Sequence, residues 1–179
     1  MLAPVDITGV RLETERLILR PWTMDDLEDF YAYSSIEGLG QMAGWIPSKS
    51  MEESSVILDI FIREKKTFAI ELKASGRVIG SLGIEEPDPD PEKEMLGREI
   101  GYVLHKDHWG QGLMPEAVKA VISWCFDTLH YDFLTCSHFD WNHQSKRVIE
   151  KCGFRYFSTT RSETRYDTVE NSVNYILYR

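Results

Sequence analysis

The sequence predicts a mixed α/β fold laid out as a single domain over residues 1–179. Three observations lead there. The hydrophobic pattern alternates between the strand repeat and the helix repeat along the chain. The resulting order is strand, two helices, three strands, helix, strand, helix, two strands. No linker, internal repeat or low-complexity tract divides the chain.

Leu12 to Pro21 alternates apolar and polar residues around Leu17 and Leu19 and reads as a first strand. Thr23 with Asp26 is a helix start, and Leu27, Phe30 and Tyr31 share a face of the helix from Met24 to about Ser35. Glycine-rich Ile36 to Pro47 ends it. Ser50 with Glu53 resembles a capping box that opens a second helix, with Val56, Ile57, Ile60 and Phe61 at helical spacing.

Thr67 to Leu72 and Val78 to Ile84 flank a short turn and read as an antiparallel hairpin. Pro87 to Glu94 is a breaker segment of prolines and acids, hence a solvated loop. Arg98 to Leu104 is a strand. Leu113 to about Leu129 is a helix with Ala117, Ala120, Val121, Trp124 and Cys125 inward. Phe133 to Ser137 is a strand, and Asn142 to Cys152 a helix with Ser145, Val148, Ile149 and Cys152 on one stripe. Phe154 to Ser158 and Ser172 to Leu177 close the chain as a hairpin.

Composition excludes several classes. No run approaches the roughly 18 apolar residues of a membrane helix, and Met1 to Thr8 lacks a secretory pattern, so no membrane partner and a cytoplasmic location are expected. Cys125, Cys136 and Cys152 are odd in number, far apart and set among apolar neighbours, as buried thiols are. A net charge of -9 argues against nucleic acid as a partner and suits a cationic or amine-bearing one. The five histidines form no His-Glu-x-x-His pattern and the cysteines no Cys-x-x-Cys pair, so no metal is expected. Nor is there a Gly-x-Ser-x-Gly elbow of a hydrolase.

The chemistry concentrates in Gly101 to Ala117, where a strand runs through a glycine-spaced turn into a helix. Gly110 and Gly112 admit backbone conformations closed to other residues. The first helical turn has N–H groups without intrahelical partners, and with the helix dipole these suit a phosphate-sized anion. Pro115 falls where no N–H need be donated within the helix. By itself this turn is equally a tight strand-to-helix connection. The dinucleotide and triphosphate glycine patterns both fail here.

Asp107-His108-Trp109-Gly110-Gln111-Gly112 resembles the Gln/Arg-x-x-Gly-x-Gly/Ala motif of the GNAT acetyltransferases, and Trp109 to Ala117 resembles its RimJ/RimL version. Asn142 to Phe154 is similar to that branch's Asn-x-x-Ser followed by Glu-Lys-x-Gly-Phe. Leu12 to Arg20 is similar to its opening strand. The three blocks occur in family order across most of the chain.

The resemblance implies a GNAT fold, with a mostly antiparallel sheet of about seven strands, a splayed central pair and flanking helices. It implies acetyl-CoA as cosubstrate and no metal. Tyr102, Val103 and Leu104 would pair through their backbone with the pantetheine arm, and the amides of His108, Trp109, Gly110, Gln111, Gly112, Leu113 and Met114 would hold the pyrophosphate. Asn142 would help hold the arm, Ser145 would sit near the sulfur, and an amide near Val103 would face the developing oxyanion. Two positions depart from the pattern. Asp107 stands where Gln or Arg is usual, which requires its side chain to turn to solvent. Ile149 stands where many members carry a proton-donating tyrosine, leaving Ser145 as the candidate donor; the plain alternative is that Ser145 only caps or packs.

An amine must lose a proton to react, and Glu99 is the candidate base, with burial needed to raise its pKa. Its plain alternative is an exposed strand acid paired with Arg98 or Lys106. The acceptor pocket is expected between Leu39 to Trp45, the Pro87 to Glu94 loop and the C-terminal hairpin, with Trp45 as a lining residue or else an edge of the core. The branch implies an amine acceptor, a protein N-terminal α-amino group first, and a possible homodimer. A small-molecule amine is the rival acceptor, and a non-catalytic acyl-CoA sensor the rival function.

Overall fold

The computed structural model describes residues 2–179, and among them one sheet holds eight strands in the order β1-β2-β3-β4-β5-β6-β8-β7. These are β1 Leu12–Glu13, β2 Leu17–Pro21, β3 Thr67–Leu72, β4 Arg77–Glu85, β5 Gly97–Leu104, β6 Phe133–Phe139, β7 Arg155–Glu163 and β8 Val169–Tyr178. The helices are α1 Leu27–Ser34, α2 Met51–Glu64, α3 Leu113–Ser123 and α4 His143–Lys151. The expected mixed α/β architecture with one large sheet is present, with eight strands rather than seven because Leu12 to Pro21 is not one strand. Thr14 to Arg16 break it, and Leu12–Glu13 fold back on Ile18 and Leu19.

Every neighbouring pair is antiparallel except β5 and β6, which are parallel and meet only from Gly97 to Glu99, opposite Phe133 to Thr135. Beyond Glu99 the two strands part. A strand edge left open offers N–H and C=O groups to whatever lies beside it, so this fork is the feature that makes a site.

The two faces of the sheet carry separate cores. Ile100 and Leu104 join Leu19, Ile70, Val121 and Ile149 under α3 and α4. Trp22, Phe30, Tyr33 and Leu58 pack with Val78 under α1 and α2. Thr23 and Asp26 form the predicted capping box. Ser50 caps α2 by accepting from the Glu53 N–H, while the Glu53 carboxylate takes the N–H of Lys49 rather than of Ser50. Val56 and Ile60 are exposed, contrary to the predicted inward face, and Leu58 with Ser54 is fully buried instead. Ser54 satisfies its hydroxyl on Ser34 at 3.1 Å, which is how a polar residue occupies the packed stripe. All three cysteines are buried and unpaired. No helix among the described residues is long and apolar enough to cross a membrane.

Candidate functional site

A cleft of about 560 Å³ opens where β5 and β6 diverge. The hydrogen bond from His105 N to Ile79 O fixes the alternation along β5. With the β4–β5 register, it turns the backbone groups of Glu99, Gly101 and Val103 toward β4 and those of Ile100, Tyr102 and Leu104 toward the fork. The Val103 amide therefore faces Ser81 of β4, and the expectation of a Val103 donor is corrected by one residue. The Leu104 carbonyl on the open edge accepts from Trp109 Nε1 at 2.8 Å.

The glycine turn forms the cleft's second wall. Gly110 and Gly112 have φ of +73° and +76°, and a side-chain carbon added at Gly110 would meet nothing within 4 Å. Gly112 is the N-cap of α3, so the N–H groups that follow begin the helix. His108, Trp109, Gly110, Gly112, Leu113 and Met114 line the cleft. Gln111 does not: its side-chain Nε2 turns back to donate to the Asp107 carbonyl, and its backbone carbonyl accepts from Arg16. Asp107 points to solvent, with 74% of its side chain exposed, which keeps its charge away from an anion in the turn.

Arg16 and Thr14 were not singled out as functional by sequence. Arg16 donates to Glu116 Oε2 at 2.8 Å and to the Gln111 carbonyl at 2.9 Å, while Thr14 donates to Glu116 Oε1 at 2.5 Å. The chain break between β1 and β2 thus braces the glycine turn. Burial alone would raise the Glu116 pKa, but the Thr14 and Arg16 hydrogen bonds bring it below the ordinary carboxylate value.

The third wall is the start of α4. Asn142 caps the helix through Oδ1, which accepts from the Ser145 N–H at 3.1 Å, and its Nδ2 donates to the Met42 carbonyl at 3.4 Å. Ser145 lies across the fork from Tyr102, Oγ to hydroxyl 2.9 Å. Arg147 and Lys151 add two cations to the same rim.

Glu99 stands at the apex, the last β5 residue paired with β6. Its Oε1 accepts from Ser137 Oγ at 2.8 Å and its Oε2 from the Asp88 N–H at 3.2 Å. Burial pushes its pKa up, outweighing those two hydrogen bonds, and the charges of Asp88 and Glu85 push the same way. Arg98 is buried and donates to the Ala3 carbonyl, so it is no partner for Glu99.

Beside Glu99, Gly101 faces open space, and a side-chain carbon added there would meet nothing within 4 Å. Leu39, Met42 and Ala43, from the segment expected at the acceptor, and Phe139 wall this end. Trp45 itself is not brought to the cleft. It packs against Gly40, where the backbone turns back through a Trp45 N–H to Gly40 carbonyl bond. The hairpin between β7 and β8 supports that segment: Tyr166 donates to the Gln41 carbonyl at 3.0 Å, and Arg165 N–H to the Gly44 carbonyl at 3.2 Å. The Pro87 to Glu94 loop contributes the Asp88 N–H to Glu99 without lining the cleft. Among the described residues no three His, Cys, Asp or Glu side chains are grouped to hold a metal ion.

The chain resembles known proteins in sequence and in fold. The uncharacterized N-acetyltransferase YoaA of Bacillus subtilis is 29% identical over 167 residues, covering 88% of this chain and 92% of the relative. The ribosomal-protein-S5-alanine acetyltransferase of Vibrio fischeri superposes with a TM-score of 0.74 at 19% identity, over 94% of this chain and 96% of its own. The microcin C7 self immunity acetyltransferase MccE, solved with acetyl-CoA and AMP, gives 0.76 at 15% identity, over 93% and 94% of the two chains. Both structures are likenesses of fold. Residues 16–155 match the acetyltransferase (GNAT) domain family and include the fork, the glycine turn and α4, so the chain belongs to the GNAT acetyltransferases.

Proposed function

We propose that this acetyltransferase moves the acetyl group of acetyl-CoA to a primary amine, and that its acceptor is a protein N-terminal α-amino group, as in the RimJ/RimL branch. The single observation that carries the reading is Glu99, a half-buried carboxylate of raised pKa at the apex of the fork, beside the space left by Gly101. A carboxylate so placed, with its pKa raised toward the working range, takes the proton of an attacking amine.

The residues fit the cosubstrate. Left-handed glycines bring the α3 N-terminus to the cleft, where its N–H groups suit a pyrophosphate. Arg147 and Lys151 suit further phosphate. The open edge of β5 at Ile100, Tyr102 and Leu104 suits the amides of the pantetheine arm. Bound acetyl-CoA supplies an activated acyl carbon. The chain orients it through these backbone groups, and Tyr102 N–H and Leu104 N–H replace Val103 N–H as donors toward the fork.

The preference for a protein N-terminus rests on the three RimJ/RimL-like sequence blocks and on the naming of the Vibrio fischeri neighbour for a ribosomal-protein alanine. A small amine is the second reading, favoured by the bonds from Tyr166 and Arg165 that hold the Gln41 to Gly44 segment over the acceptor end.

Thiol release from acetyl-CoA tests the proposal, using peptides with free N-termini beside polyamines, amino acids and aminoglycosides. Turnover with peptides that disappears when their N-termini are blocked supports the N-terminal reading. Turnover confined to small amines replaces the acceptor, and acetyl-CoA binding without thiol release to any amine replaces the enzyme with a sensor.

A further inference from the structure

Tyr102 enters the sequence argument only through its backbone, yet its side chain makes a contact across the fork. It leaves β5 on the α4 side, half-buried and beside Cys136 of β6. Its hydroxyl is 2.9 Å from Ser145 Oγ and 3.2 Å from the Ser145 carbonyl oxygen. Ser145 is itself held, because its N–H donates to Asn142 Oδ1. Both side chains border the cleft. Residue 149, one turn further along α4, is a buried isoleucine with no hydroxyl to offer.

A phenol has one proton, and the two oxygens of Ser145 compete for it with the neighbouring Cys136 sulfur. If the carbonyl takes it, the phenol oxygen accepts the serine proton and Ser145 offers nothing to the cleft. If Oγ takes it, the serine proton is displaced and turns toward the cleft. A group in the cleft that accepts a hydrogen bond selects the second arrangement.

We propose that Tyr102 is a positioning residue for the transfer: by donating to Ser145 Oγ it turns the Ser145 O–H toward the departing sulfur. The inference rests on the acetyl transfer proposed above and on the expectation, implied by the sequence resemblance, that Ser145 stands beside that sulfur. In the step, the amine nitrogen bonds to the acyl carbon and gives its proton to Glu99. The C–S bond breaks with its electron pair going to sulfur, and the resulting thiolate accepts the Ser145 hydrogen bond. Glu99 and the thiolate then exchange the proton through solvent, leaving an amide and a thiol. No proton leaves Tyr102, whose phenol pKa burial holds well above the ordinary value, so it remains a donor throughout.

The test uses the full chain with acetyl-CoA and the best amine found by thiol release. For Tyr102→Phe, kcat is expected to fall about tenfold, the loss typical of one well-placed hydrogen bond, while acetyl-CoA binding by calorimetry stays unchanged. Ser145→Ala should lose as much, and the double variant no more than either single one, since the two act as a unit. A fluorinated tyrosine placed at 102 keeps the shape and makes the still-protonated phenol a stronger donor, so kcat should rise, whereas a purely structural tyrosine would leave kcat unchanged. In Tyr102→Phe the KM for the amine should keep its wild-type value while kcat falls. Wild-type kcat in Tyr102→Phe, losses that multiply in the double variant, a KM that moves together with kcat, or an unchanged kcat with the fluorotyrosine would each overturn the proposal. If Tyr102→Phe fails to fold, shown by lost acetyl-CoA binding, the fluorotyrosine kcat decides alone. Full activity in Ser145→Ala overturns the proposal while leaving the acetyltransferase reading intact; a wild-type chain that releases no thiol with any amine overturns both.

Discussion

Arg16 and Glu116 are joined across a hundred residues of sequence by three contacts, the Arg16 N–H to Oε1 at 2.9 Å, Nε to Oε2 at 2.8 Å and Nη2 to the same Oε2 at 2.7 Å. The pair ties the break between two strands to the first turn of α3, and a further bond from Arg16 reaches the Gln111 carbonyl inside the glycine turn. Both carboxylate oxygens are engaged, Oε1 by the Arg16 backbone N–H and Oε2 by its guanidinium, so the turn is fixed from behind.

Replacing Arg16 with alanine should therefore loosen the turn without touching the cleft. The expected result is acetyl-CoA affinity weakened about fivefold to tenfold with a stability loss of about 1 kcal/mol, modest because 42% of the Arg16 side chain is exposed. Calorimetry and thermal unfolding measure the two. Unchanged affinity would remove the bracing role. Because the Glu116 pKa is lowered, its contribution is present at neutral pH and is lost as pH falls through the folded value.

Glu99→Gln should cut kcat about a hundredfold or more, the usual size of a general-base contribution, and flatten the limb of the pH–rate profile that rises as a carboxyl group deprotonates. Stability gives an independent reading. A carboxyl whose folded pKa is raised holds its proton more tightly in the native state, so the wild type loses stability as pH rises through that value. The variant has no such loss, and the difference in melting temperature should grow in its favour from acidic to neutral pH. A difference constant with pH would contradict the buried-carboxylate account.

Gly101→Val should separate acceptor from cosubstrate. Valine suits a strand and fills the open space beside Glu99. KM for the amine is expected to rise several-fold or more while acetyl-CoA binding persists. Equal damage to both would place the acceptor elsewhere.

Asp26→Asn addresses the fold alone. Arg20 holds Asp26 at 2.8 and 2.9 Å and Glu71 at 2.7 Å. Burial would raise the Asp26 pKa, yet the Arg20 and Thr23 hydrogen bonds lower it overall. The substitution should cost roughly 2–3 kcal/mol, short of a fully buried pair because 21% of the Arg20 side chain is exposed. Chemical denaturation should show the gap between wild type and variant closing as pH falls through the folded pKa of Asp26.

Much of this architecture is legible in local sequence, and the parts that are not share a cause. Strand and helix order follow from apolar spacing, and Thr23, Ser50 and Asn142 mark helix starts because a cap needs only residues within one turn. The face of α2 misleads because Val56 and Ile60 supply an apolar pair on the outer side, while Ser54 hides the buried stripe until Ser34 is seen opposite it. The motif locates the glycine turn, but not which of its residues turn inward, since Gln111 is claimed by Arg16. The parity of the β5 amides depends on the pairing of His105 with Ile79, which residue spacing within β5 does not encode. Trp45 and Tyr102 show the same limit. One looked like a lining residue and packs on Gly40; the other looked like backbone and reaches Ser145.

The three-residue contact between β5 and β6 has a further consequence for how such a protein can change. Most of what the fork and the glycine turn offer a ligand is main chain, and main chain is the same whichever side chains it bears. Substitutions that preserve the bend of the strands and the left-handed turns leave that offer intact, so cosubstrate recognition is insulated from sequence drift. The end of the cleft proposed for the acceptor is walled instead by side chains on separate segments, Leu39 and Met42 from one and Phe139 from another. Each of these is free to be exchanged singly, which lets a new amine be adopted without rebuilding the machinery that activates the acyl group.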